Sequence, residues 1–162
     1  MNSGVIECVG AKIQNNANDN WVNVVGVYRP PKHSPFDFIK NMENILNEFN
    51  LSAGNTIITG DFNICILNEN KNCSKTLLDQ LRSLYFRPLV SIPTRITSNS
   101  ATLIDHVWCN MPLQSQTFVI KIGITDHFPV HTLIKNINCK ENKIVDIKFR
   151  NYSSENIQVF KD

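Results

Sequence analysis

The stretch that most constrains this chain is Thr56-Ile57-Ile58-Thr59-Gly60-Asp61-Phe62-Asn63. A β-rich apolar run reaches a glycine and then presents an acid and an amide two residues apart. In an extended chain Asp61 and Asn63 project to the same side. The run predicts a strand whose end carries a carboxylate and a carboxamide to the mouth of a sheet, where they can hold a water, a metal ion or a phosphate oxygen. Gly, Asp and Asn are also ordinary turn residues, so the same segment reads equally as a plain turn.

Around this strand the pattern alternates between β-prone and helical runs. Val5 to Ile13 and Trp21 to Tyr28, joined by the polar Asn15 to Asn20, predict a hairpin with both strands mostly buried. Arg29-Pro30-Pro31 stops the second strand, because consecutive prolines remove backbone donors. Ser34-Pro35 with Asp37 marks a helix start. Phe38, Met42, Ile45, Leu46 and Phe49 then form one apolar face. A second helix is expected from Ser74 to Tyr85, with Leu77, Leu78, Leu81, Leu84 and Tyr85 inward. Thr94 to Ser100 reads as a surface loop. Leu103 to Trp108, Phe118 to Ile122 and Phe128 to Ile134 complete the strands, the last of these closing the fold.

A chain of 162 residues, 42% hydrophobic and 19% charged, has the balance of a globular domain. Its net charge of +2 permits a polyanionic partner without arguing for one. The five cysteines have no C-x-x-C spacing, so neither a disulfide framework nor a zinc site is indicated, and reduced intracellular thiols are expected. No run is long enough to span a bilayer and the N-terminus lacks a signal-peptide pattern, which places the work in nucleus or cytoplasm. Asparagine occurs 22 times, so a single Asn carries little functional weight. Beyond residue 135 the composition turns polar, and 136–162 reads as a linker or tail following a domain of residues 1–135.

Three strand ends bring acids, amides or histidines against apolar runs: Asp61 with Asn63, Asp105 with His106, and Asp126 with His127. A set of Asp, Asn and His without a recognisable Ser or Cys nucleophile suits chemistry in which water attacks and a hard cation stabilises charge on oxygen. His106 and His131 are read as structural strand residues. Arg29 and Arg95 fit either phosphate contacts or solvated surface.

Tyr28-Arg29-Pro30-Pro31, Gly60-Asp61-Phe62-Asn63, the run from Pro93-Thr94-Arg95-Ile96 through Ala101-Thr102-Leu103-Ile104-Asp105-His106-Val107, and Thr125-Asp126-His127-Phe128-Pro129-Val130 follow one another in a familiar order. This order and spacing resemble the endonuclease/exonuclease/phosphatase family, and most of all its branch from non-LTR, LINE-type retrotransposons. The resemblance covers roughly residues 5–135. It implies an α/β fold, a two-sheet αββα sandwich of the DNase I type, and a Mg²⁺- or Mn²⁺-dependent enzyme that nicks DNA. By the same resemblance, Asp61 orients and deprotonates water, and Asn63 contacts that water or a phosphate oxygen. His127, oriented by Asp105, stabilises the phosphate, and Tyr28 donates its hydroxyl. Thr102 lines the DNA-facing side and Asp126 sits beside the metal, and Arg95 stands with Thr102 as a substrate-binding candidate.

The family's metal-binding Glu and an earlier Asn lie upstream of the Tyr-Arg-Pro motif, and neither has a counterpart in this sequence. The resemblance therefore implies a domain incomplete at its N-terminus, without its first strands, with weak or absent catalysis. Two alternatives stand beside a nicking enzyme. One is a phosphatase-type member of the same fold, and the other is a non-catalytic remnant with residual nucleic-acid binding.

Overall fold

The computed structural model describes residues 6–15, 20–48, 51, 54–111, 115–134 and 145–147. Its elements are β1 (Glu7–Asn15), β2 (Asn20–Tyr28), α1 (Pro35–Glu48), β3 (Asn55–Asp61), α2 (Asn72–Ser83), β4 (Arg87–Pro88), β5 (Arg95–Ile96), β6 (Ala101–Thr102), β7 (Asp105–Cys109), β8 (Ser115–Val119), β9 (Val130–Ile134) and β10 (Val145–Ile147).

A six-stranded sheet runs in the order β10-β1-β2-β3-β7-β4, with two-stranded β5-β6 and β8-β9 sheets beside it. The β1-β2 hairpin is antiparallel, while β2 and β3 are parallel and joined through α1. That crossover is what a parallel pair requires. Antiparallel pairing of β3 with β7 then sets Asp61 directly opposite Asp105.

Strand alternation divides the large sheet into two faces. One presents Val25, Val27, Ile58 and Trp108, all buried in the same cluster as Phe38, Met42 and Leu46 of α1 and Leu77, Leu78 and Leu81 of α2. The opposite face carries Ile57 and Val107, and Val119, Val130 and Ile134 of the β8-β9 ribbon are packed against this core. Val9 remains 53% exposed on β1, so the hairpin is buried on one face rather than on both as its apolar content suggested.

Both helices form where their apolar spacing predicts them, with differences at the ends. Ser34 Oγ accepts the Asp37 backbone N–H at 3.3 Å, which caps α1. Phe49 lies outside the described residues. The second helix begins two residues early and stops at Ser83. Tyr85 adopts a left-handed φ of 64° and is 86% exposed, so it points out of the core that its spacing assigned it to. A ring placed by helical periodicity loses that placement once the helix has ended. Within the segment read as a tail, Val145–Ile147 pairs with β1 as an edge strand, so Phe128 to Ile134 does not supply the last strand of the fold. Cys139 lies outside the described residues, and the other four cysteines carry free thiols.

Candidate active site

The register of the large sheet assembles the site. Tyr28 ends β2, Asp61 ends β3 and Asp105 begins β7, and successive pairings place Tyr28 beside Asp61 and Asp61 beside Asp105. Gly60 permits this close approach. Its φ is +143°, and a Cβ there would lie 1.8 Å from the Val27 carbonyl oxygen, so only glycine fits between the two strands.

His127 comes from the loop before β9. A bridge between Arg95 and His127 and the Phe128 N–H donated to the Thr94 carbonyl at 2.7 Å fix that loop against the β5-β6 hairpin. The His127 ring then reaches Asp105, with Nδ1 3.1 Å from Oδ2 and 3.2 Å from Oδ1. Donation from Nδ1 to a carboxylate sets both the tautomer and the ring orientation. One ligand atom each from Asp61, Asp105 and His127 lie within 4.8 Å of one another. They line a cavity of about 430 Å³ together with Thr59, Ile122, Phe128 and Val130.

Asp61 titrates above the usual carboxylate range. Burial is the main cause and the Asp105 carboxylate adds to it, against the opposing effects of the Asn63 N–H, His127 and Arg29. The Asn63 N–H donates to Asp61 Oδ1 at 2.9 Å, and Asn63 has a left-handed φ of 49°. Gly60-Asp61-Phe62-Asn63 is thus both a strand end and a turn. The chain does not stay extended through Asn63, whose Nδ2 donates to the Arg29 carbonyl at 2.9 Å.

A family model described as endonuclease-reverse transcriptase matches residues 22–131. The chain belongs to the endonuclease-reverse transcriptase family. No curated protein matches it. Among solved structures it is similar to the endonuclease domain of TRAS1, a telomere-specific non-LTR retrotransposon. That likeness has a TM-score of 0.65 at 17% identity and covers 80% of this chain and 64% of that one. The Xenopus laevis APE2 catalytic domain aligns with a TM-score of 0.61 at 16% identity, covering 89% of this chain and 60% of the other. An endonuclease/exonuclease/phosphatase family protein from Leptotrichia buccalis aligns with a TM-score of 0.60 at 17% identity, covering 79% and 53%. The shared property is the DNase I-like α/β fold, and the chain spans less than two thirds of each of these structures.

Not every residue expected at an endonuclease centre of this family meets the cluster. Asp126, expected beside a metal, instead accepts from Arg95 Nε at 2.6 Å, and this hydrogen bond draws its carboxyl below the ordinary range. Arg95, expected toward DNA, is engaged in the same pair, because β5 and the loop before β9 are hydrogen-bonded neighbours. Thr102 sits opposite Arg95 in the β5-β6 hairpin, outside the cavity lining. Tyr28 is 40% exposed and adjoins Asp61 by register.

Three residues prove more central than their sequence context indicated. Thr94, read as surface loop, is fully buried. Its Oγ1 donates to Asp105 Oδ2 at 2.7 Å while accepting the N–H groups of Ile104 and Asp105 at 3.2 and 3.0 Å. His106, read as structural, is buried against Phe62 with ring centroids 4.6 Å apart. Arg29, read as phosphate-facing or solvated, is buried among backbone carbonyls. A single Thr or Arg in a polar stretch carries no local signal of such a role.

Proposed function

We propose that this chain acts as the DNA-nicking endonuclease of a non-LTR retroelement, a phosphodiesterase dependent on Mg²⁺ or Mn²⁺. The observation that carries the reading is the convergence of Asp61, Asp105 and His127 at adjoining strand ends, over an open cavity. Two facing carboxylates suit a hard cation, and Mg²⁺ ordinarily takes one or two protein carboxylates and keeps water elsewhere. Asp61 and Asp105 would hold it, and when bound it would neutralise charge on the phosphate oxygens.

The side chains account for the remaining chemistry. Asp61, made more basic by burial, takes a proton from water as the water oxygen bonds to phosphorus, and Asn63 in the adjoining turn contacts that water or a phosphate oxygen. His127, held at Nδ1 by Asp105, presents Nε2 to the phosphate, where it stabilises the developing charge. Tyr28 adds a hydroxyl donor from the neighbouring strand end. The bond between phosphorus and the 3′ oxygen breaks, and that oxygen takes a proton from solvent water in the open cavity and leaves as the hydroxyl a polymerase could extend.

A second reading, a non-catalytic remnant that binds nucleic acid, is supported by the donor set. Among the described residues, the group able to hold a metal contains only two carboxylates and one imidazole. Incubation of supercoiled plasmid with Mg²⁺ or Mn²⁺ separates the two. The enzyme reading expects metal-dependent nicking that falls by about two orders of magnitude or more in Asp61→Ala or His127→Ala. Folded protein that never nicks, yet binds DNA with an affinity dropping steeply as salt rises, would leave the remnant.

A further inference from the structure

Arg29 is 6% exposed, yet its guanidinium faces carbonyl oxygens from two separate loops. Nε donates to Phe62 O at 2.7 Å and Nη2 to Asn63 O at 2.7 Å. Nη1 donates to Pro30 O at 3.3 Å and, at closer range, to His33 O. The backbone ties the same segments in both directions. Arg29 N–H donates to Asp61 O at 3.0 Å, and Asn63 Nδ2 donates to Arg29 O at 2.9 Å.

We propose that Arg29 is a positioning residue that holds the Asp61–Asn63 turn against the end of β2, acting through the backbone without touching substrate. This rests on reading that turn as part of the reaction centre. The turn needs such support. Asn63 has a left-handed φ, a sparsely populated conformation for a residue with a Cβ, and it persists where the surroundings over-determine it. A planar guanidinium with donors at fixed angles can meet Phe62 O and Asn63 O on one loop while meeting Pro30 O and His33 O on the other. A lysine ammonium carries the same charge on a single atom and cannot span both. Burial draws the Arg29 pKa below its ordinary value, the nearby Asp61 carboxylate opposes that, and the group stays charged and available as a donor.

Arg29→Lys therefore separates the fork from the charge. The expected result is a folded protein in which the backbone and carboxamide NMR resonances of Asn63 shift. In the nicking assay, kcat should fall about ten- to hundred-fold while KM for DNA changes by less than about two-fold. A lysine variant with a lower Tm but unchanged Asn63 resonances and unchanged kcat per folded molecule would reduce Arg29 to a structural residue and overturn the assignment. If the parent protein does not nick DNA, the nuclease reading fails by itself, and the Asn63 resonances still decide the role of Arg29. If the lysine variant does not fold, the unmodified chain supplies the test. A scalar coupling across the hydrogen bond from Arg29 Nε–H to the Phe62 carbonyl carbon supports the assignment, and its absence overturns it.

Discussion

A histidine that accepts a hydrogen bond at one ring nitrogen and donates at the other is well paired only while neutral. His106 is in this position. Nδ1 accepts the Trp108 Nε1–H at 3.2 Å, and Nε2–H points to Ile64 O at 2.9 Å and Leu103 O at 3.2 Å. Burial depresses its pKa to about 4, against 6.5 for the free side chain. The sign follows from which state takes up the proton. Between these two values the unfolded chain binds a proton at this position and the native state does not. Stability from His106 is therefore complete above pH 6.5 and declines as pH falls toward 4, by about 3 kcal/mol in all. Urea unfolding from pH 7 to 4.5 should show this decline. His106→Phe should flatten it while costing about 1–3 kcal/mol at neutral pH, since it leaves Trp108 Nε1–H unpaired. Parallel pH profiles for the two proteins would contradict the assignment. Reading His106 as a structural residue required only its position inside an apolar run, whereas its partners depend on Ile64, 42 residues away.

At the scale of elements, the apolar patterns carried most of the information. The β-prone runs become β1, β2 and β3, and the faces of α1 and α2 bury Phe38, Met42, Leu46, Leu77 and Leu81 as their spacing requires. What local pattern could not supply was where each element stops and which face is covered. Tyr85 leaves the core because α2 ends before it, and Val9 stays exposed on β1 although its run is apolar. Gly60 marks the element junction on which the site depends. Gly60→Ala places a methyl carbon against the Val27 carbonyl in the parallel β2-β3 pair. The expected outcome is a loss of about 3 kcal/mol or more, read by denaturant unfolding or as a failure to fold. A variant as stable as the parent would mean that β2 and β3 do not approach this closely.

At the scale of the molecule, the centre forms where three sheets meet, and Thr94 joins them. Its backbone N–H donates to Thr102 O at 2.9 Å in the β5-β6 hairpin, and its carbonyl receives Phe128 N–H from the loop that delivers His127. Its hydroxyl holds Asp105 at the start of β7. Thr94→Val keeps the shape and removes the hydroxyl, leaving the buried N–H groups of Ile104 and Asp105 without that acceptor. Stability should drop by about 1–3 kcal/mol. Nicking should fall further than the folded fraction explains, because His127 loses the carboxylate orientation that positions it. Activity that simply tracks the folded fraction would show that Asp105 holds its place without Thr94.

The sequence by itself determined the longer strands, both helices and their order, and its motifs led to the family, whose resemblance put Asp61, Asp105 and His127 among the expected site residues. The elements follow from short-range rules, apolar periodicity with glycine and proline punctuation, whereas the family and its site residues follow from the resemblance of ordered motifs. Only the tertiary structure decided that Asp126 pairs with Arg95, that Arg29 turns inward to carbonyls and that Thr94 is buried. Each of those outcomes is a choice of hydrogen-bond partner. A polar side chain takes whichever donor or acceptor is brought beside it when water is excluded. That neighbour is set by sheet register and loop packing across tens of residues, not by the residues adjoining it in the chain.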